Sequence, residues 1–177
     1  KRQMIMSYKS NNNVIRRCYA HWSRWDGRAF CNPWPWGDGI QVYIGDDNII
    51  ENSIVNGPVP GFGLSIQANG DPNKTNVVGN QILGSASLHA GMGEDGAPVE
   101  WGNARPGPTE CTEIRDFAWP AQRTGFAIWG PGDTRDNLFQ DIVAWGNAGL
   151  GFAIEGIQIY ENPIVNRATI LNNLSLI

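Results

Sequence analysis

Along this chain, short alternating apolar runs keep returning to the same phrase. GIQVYIGDDNIIENSIVNG, residues 39–57, places Ile40 and Val42 before a turn, then an apolar pair, then Asn. GIQIYENPIVNRATILNN, residues 156–173, repeats the plan 117 positions later. Weaker copies lie between: NVIRRCYA from 13, NIIENSIV from 48, NVVGNQIL from 76, a looser TEIRDFAW from 112, NLFQDIVA from 137 and a last copy ending in ATILNN. A second strand, usually opened by Gly, sits between the copies: GIQVY at 39, GFGLSIQ at 61, ASLHAG at 86, GFAIWG at 125 and GFAIEG at 151. Met4, Ile5, Met6 and Tyr8 begin a strand of the first unit.

Period-2 alternation identifies these runs as strands. Two strands per unit, with a unit every ~25 to 35 residues, is the signature of a stacked repeat. Such a strand pair cannot bury its apolar face alone. Coiling the chain so that each strand lies beside its copy builds a parallel ladder around an apolar column. The alternation predicts that Ile40, Val42, Leu64, Ile66, Leu88, Phe126, Ile128, Phe152 and Ile154 point inward. The opening Asn is expected at a corner, tolerating left-handed backbone and stacking its side chain into a ladder. The 117-residue echo then spans about five turns of roughly 23 residues each.

Composition agrees. Charged residues make up only 17% of 177, Gly numbers 22 and Asn is almost as frequent, so turn formers crowd out helix formers. One domain with a sizeable core is expected over 1–177, as a segment of a longer chain: it opens on Lys and ends in the apolar run LSLI. A net charge of −4 without a basic stripe argues against a nucleic-acid partner. No 18-residue apolar run spans a membrane. Cys18, Cys31 and Cys111 fit no zinc spacing; Cys18 and Cys31 would close a loop in an oxidising compartment, and incidental thiols account for them equally well.

The phrase N-x-I-x-x-N-x-I followed by GIQVY resembles the right-handed parallel β-helix repeats of the pectate-lyase-like superfamily, including NosD-type and other surface β-helix proteins. The resemblance covers residues 11–177 at the level of the repeat. It implies an all-β, right-handed parallel β-helix (solenoid) of about five to six turns. Two long loop insertions, 21–38 and 91–111, interrupt it. It points to the fold more than to a function.

Candidate chemistry is sparse. On the Gly-led strands the outward positions would be Gln41, Tyr43, Ser65, Gln67, Ser87, His89, Ala127, Trp129, Ala153 and Glu155. Of these, Gln41, Tyr43, Gln67, His89 and Trp129 are the candidate ligand-binding residues, with Trp25, Trp34 and Trp36 of the first insertion. An indole face offers a sugar ring a large apolar platform, although the tryptophans equally suit a satellite core. Glu155, Asp46 and Asp47 are weak catalytic candidates. The row holds one carboxylate where a hydrolase needs two at a defined separation, and Gly-Asp-Asp-Asn is ordinary turn chemistry. Asp26, Asp38, Glu94, Asp95 and Glu100 are candidate calcium ligands, but solvated acids are the default because the spacing matches no calcium loop. No other cofactor and no metal site is expected.

The expected function is a non-catalytic scaffold or a glycan-binding, adhesive module of an extracellular or cell-surface protein. Its partners would be a polysaccharide or surface glycan and, through open coil ends, further copies of itself. The alternative is a polysaccharide lyase or glycoside hydrolase working on the outer strand face and loops.

Overall fold

The computed structural model describes residues 3–21, 38–57, 61–68, 77–92, 124–129, 134–155, 169–171 and 174–176. These residues form fifteen strands and no helix, arranged in three five-stranded parallel sheets. Sheet A contains β1 (Gln3–Tyr8), β4 (Asp38–Tyr43), β7 (Phe62–Gln67), β10 (Thr124–Trp129) and β13 (Phe152–Glu155). Sheet B contains β2 (Val14–Arg16), β5 (Ile49–Glu51), β8 (Gln81–Leu83), β11 (Leu138–Gln140) and β14 (Thr169–Leu171). Sheet C contains β3 (Tyr19–His21), β6 (Ile54–Asn56), β9 (Ala86–Leu88), β12 (Val143–Trp145) and β15 (Leu174–Leu176). The chain visits A, B and C in rotation, and each strand pairs with the strand three places before or after it. Five successive strand triplets result.

The unit is therefore three strands, not two. Sheets B and C use three-residue strands joined through a left-handed residue and one more, as in Glu51-Asn52-Ser53-Ile54, where Asn52 has φ 49°. In sequence that reads as one apolar–polar–apolar phrase. The register also moves the third copy of the phrase. Ile49, Ile50 and Glu51 pair with Gln81, Ile82 and Leu83, so the equivalent of Asn48 is Asn80 and not Asn76. ASLHAG does not supply a Gly-led strand; its first three residues are β9 of sheet C, with Ser87 buried inward and Leu88 outward. The first insertion is shorter than expected at both ends, because His21 closes β3 and Asp38 opens β4. The phrases TEIRDFAW and GIQIY, and the insertions beyond their edges, lie outside the described residues. The final copy falls where the pattern put it, with Thr169–Leu171 paired to Leu138–Gln140.

All three sheets feed one core. Sheet A contributes Ile40, Val42, Leu64, Ile66, Phe126 and Ile128; sheet B contributes Ile50, Ile82 and Phe139; sheet C contributes Ala20, Val55 and Ala144. The Phe126 and Phe152 rings stack at 5.6 Å in neighbouring strands. The Gly near the start of the later sheet-A strands has a steric cause, although β1 carries Met4 at the position matching Gly39. A Cβ on Gly39 would lie 2.3 Å from Val55 Cγ1, and one on Gly63 would lie 1.9 Å from Ser87 Oγ and 2.7 Å from the Gly125 carbonyl. At Gly39 and Gly63 sheet A runs against the inner face of sheet C, and no side chain fits.

Asparagines hold the corner between sheets A and B. Asn48 Oδ1 accepts from the Asn13 backbone N–H at 3.0 Å and from Asn13 Nδ2 at 2.9 Å. Asn80 Oδ1 does the same for Asn48 at 2.9 and 3.0 Å, and Asn137 Oδ1 for Asn80 at 2.9 and 3.2 Å. The expected ladder exists, but its residues are not the left-handed ones. Positive φ falls one position earlier, at Asn12, Asp47, Gly79 and Asp136. Those residues carry the interchain-like ladder around the corner: Asn12 N–H donates to the Asp46 carbonyl, Asp47 to Val78 and Gly79 to Arg135. A second left-handed column, Arg17, Asn52, Gly84 and Asp141, repeats the device between sheets B and C. Ser53 and Ser85 form a smaller ladder there, Ser53 Oγ accepting from Cys18 N–H at 3.2 Å and Ser85 Oγ from Ser53 N–H at 3.1 Å.

Candidate functional site

The structure separates the residues proposed from sequence into different environments. Gln41 and Gln67 do face away from the main core, yet they are buried, as are Ser65, Ala127 and Ala153 on the same side. Phe62, Ala127 and Ala153 form a small apolar cluster there. Sheet A is thus covered on both faces, the usual condition of a parallel sheet, and its outer row is not the open strip the alternation suggested. Tyr43 is half-buried and stacks on Tyr8 at 5.5 Å with the rings 6° apart; desolvation, with a contribution from Tyr8, raises its pKa. Trp129 and Glu155 pair in register in β10 and β13. His89 lies outside sheet A altogether, just past β9, exposed and with φ 61°. Trp25, Trp34 and Trp36 lie outside the described residues.

The weak catalytic candidates do not converge. Asp46 Oδ1 accepts from the Val78 backbone N–H at 2.9 Å, and Asp46 N–H donates to Asn11 Oδ1. Asp47 is an exposed left-handed corner residue. Both are corner residues between β4 and β5, whereas Glu155 ends a strand three places from β4 across sheet A, about 14 Å at ~4.8 Å per strand. Of the candidate calcium ligands, Asp38 alone is described, and among the described residues no three His, Cys, Asp or Glu side chains gather as a metal would need. Cys18 is half-buried against the core.

Two constellations were missed by sequence reasoning. The first is buried under sheet A's outer side. Asp38 Oδ2 accepts from Ser65 Oγ and from Gln41 Nε2, both at 2.5 Å, and Asp38 Oδ1 accepts from the Phe62 N–H at 3.1 Å. Gln41 Nε2 also reaches Gln67 Oε1 at 2.6 Å, while Gln41 Oε1, fully buried, has no hydrogen-bond partner among the described residues. Burial pushes the Asp38 carboxyl up to about 6, against the lowering effect of its three hydrogen bonds. A carboxylate with only neutral donors around it is costly to ionise. Its enclosure also denies a substrate access, so this is a structural network with an unusual proton.

The second lies in the open, on the outer face of sheet C. In β3, β6, β9 and β12 the middle residue turns inward and the outer two outward. One outward column runs Tyr19, Ile54, Ala86, Val143, and the other His21, Asn56, Leu88, Trp145. Tyr19 is 62% exposed and Trp145 55%. The Tyr19 ring stacks on that of His21 at 6.0 Å. Asn56 Nδ2 donates to the Tyr19 hydroxyl at 3.3 Å, and Asn56 Oδ1 faces His89 Nδ1 at 3.2 Å. An amide oxygen only accepts, so this contact is a hydrogen bond in the form of His89 that carries a hydrogen on Nδ1. Asn56 is thereby held from both sides, with aromatic rings around it. The signal was present in the i, i+2 pairs Tyr19/His21 and Ile54/Asn56, but it was masked by reading each B–C pair of strands as one.

Comparison with family models, with curated proteins and with solved structures gives no match for this chain.

Proposed function

We propose that this chain is a β-helical scaffold that binds carbohydrate on the outer face of sheet C. The finer fold reading is a right-handed parallel β-helix of five to six turns, of the pectate-lyase-like kind. It is supported by the rotation of the chain through three parallel sheets and by the side-chain ladders at the corners. The observation that carries the functional reading is the Tyr19–Asn56–Trp145 surface: exposed aromatic rings flanking a fixed amide. Aromatic faces supply apolar area at low entropic cost, and amide and imidazole groups match hydroxyls. A scaffold of this kind belongs in an extracellular or surface protein, where polysaccharides are met.

The test is retention of the purified chain on a panel of insoluble polysaccharides, with product assays for reducing ends and unsaturated sugars run in parallel. The expected result is retention by at least one polysaccharide without products, weakened about tenfold or more by Trp145→Ala, roughly the 1.4 kcal/mol of one good contact. Product formation, or retention indifferent to Trp145, overturns the reading.

A further inference from the structure

The shape and charge of the sheet-C face specify its ligand more narrowly, on the premise that it binds carbohydrate. We propose that the ligand is an extended neutral glycan lying along the stacking direction, bridging Tyr19 of the first strand triplet and Trp145 of the fourth, with Asn56 as the central polar contact.

Three observations lead there. The first is profile. Across β3, β6, β9 and β12 the two large exposed rings stand on the first and last strands, Tyr19 on β3 and Trp145 on β12. Between them the outward residues are lower, with Ala86 the smallest. The ends are three strand spacings apart, about 14 Å at ~4.8 Å each. A monosaccharide touches one ring only; a chain several sugars long touches both.

The second is charge. None of the outward positions on β3, β6, β9 and β12 is Asp, Glu, Lys or Arg. The nearby Arg16–Glu51 pair belongs to sheet B, and Arg17 stands at the corner beside β3, off the face. A polyanionic chain would lose hydration here with no fixed cation beneath it, which is unfavourable; a neutral chain has no such cost.

The third is preorganisation. Asn56 is fixed by Tyr19 on one side and His89 on the other, and the His89 ring packs against the backbone at Gly146, where a Cβ would fall 2.7 Å from His89 Cδ2. The hydrogen-bonding centre is therefore set before any ligand arrives, which limits the ordering cost of binding. Two platforms on one rigid sheet act together, so occupancy of one raises the effective concentration of ligand at the other.

The experiment is isothermal titration calorimetry with cello-, laminari- and manno-oligosaccharides from disaccharide to hexasaccharide, and with oligogalacturonate of matched length. For the neutral series that binds, affinity should rise about tenfold or more once the chain reaches both rings. Tyr19→Ala, Trp145→Ala and Asn56→Ala should each lower hexasaccharide affinity toward that of the short sugars. Both aromatic side chains are more than half exposed, and circular dichroism checks that the truncated proteins keep their sheets. A flat dependence on length, or tighter binding of oligogalacturonate than of any neutral sugar, overturns the proposal while leaving carbohydrate binding in place. Retention of no sugar of either kind overturns both.

Discussion

At the scale of single residues, Asp38 departs furthest from ordinary chemistry. Its carboxyl is enclosed with Gln41, Ser65 and the Phe62 amide, and its pKa is raised from 3.8 to about 6. A carboxyl whose folded pKa exceeds its unfolded one makes the native state hold its proton more tightly. That contribution is complete below pH 3.8, fades as pH rises through about 6, and leaves a penalty of about 3 kcal/mol above it. Asp38→Asn should remove the titration. In urea unfolding, the variant is expected to gain stability relative to wild type as pH rises from 4 to 7.5, against the direction set by ordinary surface carboxylates. A difference between the two proteins that does not change with pH would refute the account. Asp38 was read from sequence as a loop acid because it falls at the end of the insertion placed at 21–38; its burial depends on sheet A being covered on both faces, which alternation in a single strand does not reveal.

Between elements, the decisive contacts are where sheet A meets sheet C. Gly63→Ala would set a methyl 1.9 Å from Ser87 Oγ and 2.7 Å from the Gly125 carbonyl. Ser87 can rotate away, but the carbonyl belongs to a paired strand, so β7 itself must shift. Overpacking of this kind costs typically 1–3 kcal/mol, so the variant is expected to lose about 2 kcal/mol in denaturant unfolding. A tolerated alanine would mean that the two sheets are more loosely apposed than described. The Gly-led strands were legible for this reason: a steric requirement repeated at Gly39, Gly63 and Gly125 leaves a repeated letter, and only the first triplet, with Met4 there, lacks it. The division into three strands was not, since a left-handed residue such as Arg17, Asn52 or Asp141 can be almost any polar residue and leaves no common letter. The same ambiguity displaced the third copy to Asn76, where NVV imitates the phrase that truly begins at Asn80.

Across the whole molecule, the Asn13–Asn48–Asn80–Asn137 ladder ties four triplets through one line of side chains. Asn80 sits inside that line. Its Oδ1 serves two donors of Asn48, and its Nδ2 reaches Asn137 Oδ1 and the Gly45 carbonyl. Asn80→Ala should therefore cost about 3 kcal/mol, since buried groups on both neighbouring triplets lose partners at roughly 1–3 kcal/mol each. Because triplets in a stack stabilise their neighbours, amide hydrogen exchange should accelerate in β5 and β11 as well as in β8. Faster exchange confined to β8 would show that the triplets are energetically independent. The ladder was foreseen from the recurring Asn, and the core from the recurring Ile, Leu, Val and Phe. The exposed face of sheet C was not, because it is assembled from residues more than 120 positions apart that no local pattern connects.

The spacing of the sheets has a consequence for how such a protein can change. From sheet B to sheet C the inward residues of the first four triplets are five apart: Ile15 to Ala20, Ile50 to Val55, Ile82 to Ser87, Phe139 to Ala144; the backbone register carries the same spacing into β14 and β15. From A to B, and from C back to A, the intervals vary freely, from Ala144 to Phe152 at the short end to Ser87 to Phe126 at the long one. One seam is a fixed gauge and the other two are permissive. New material enters the permissive seams without disturbing the gauge, so the frame can acquire or exchange appendages while the face on sheet C keeps its geometry.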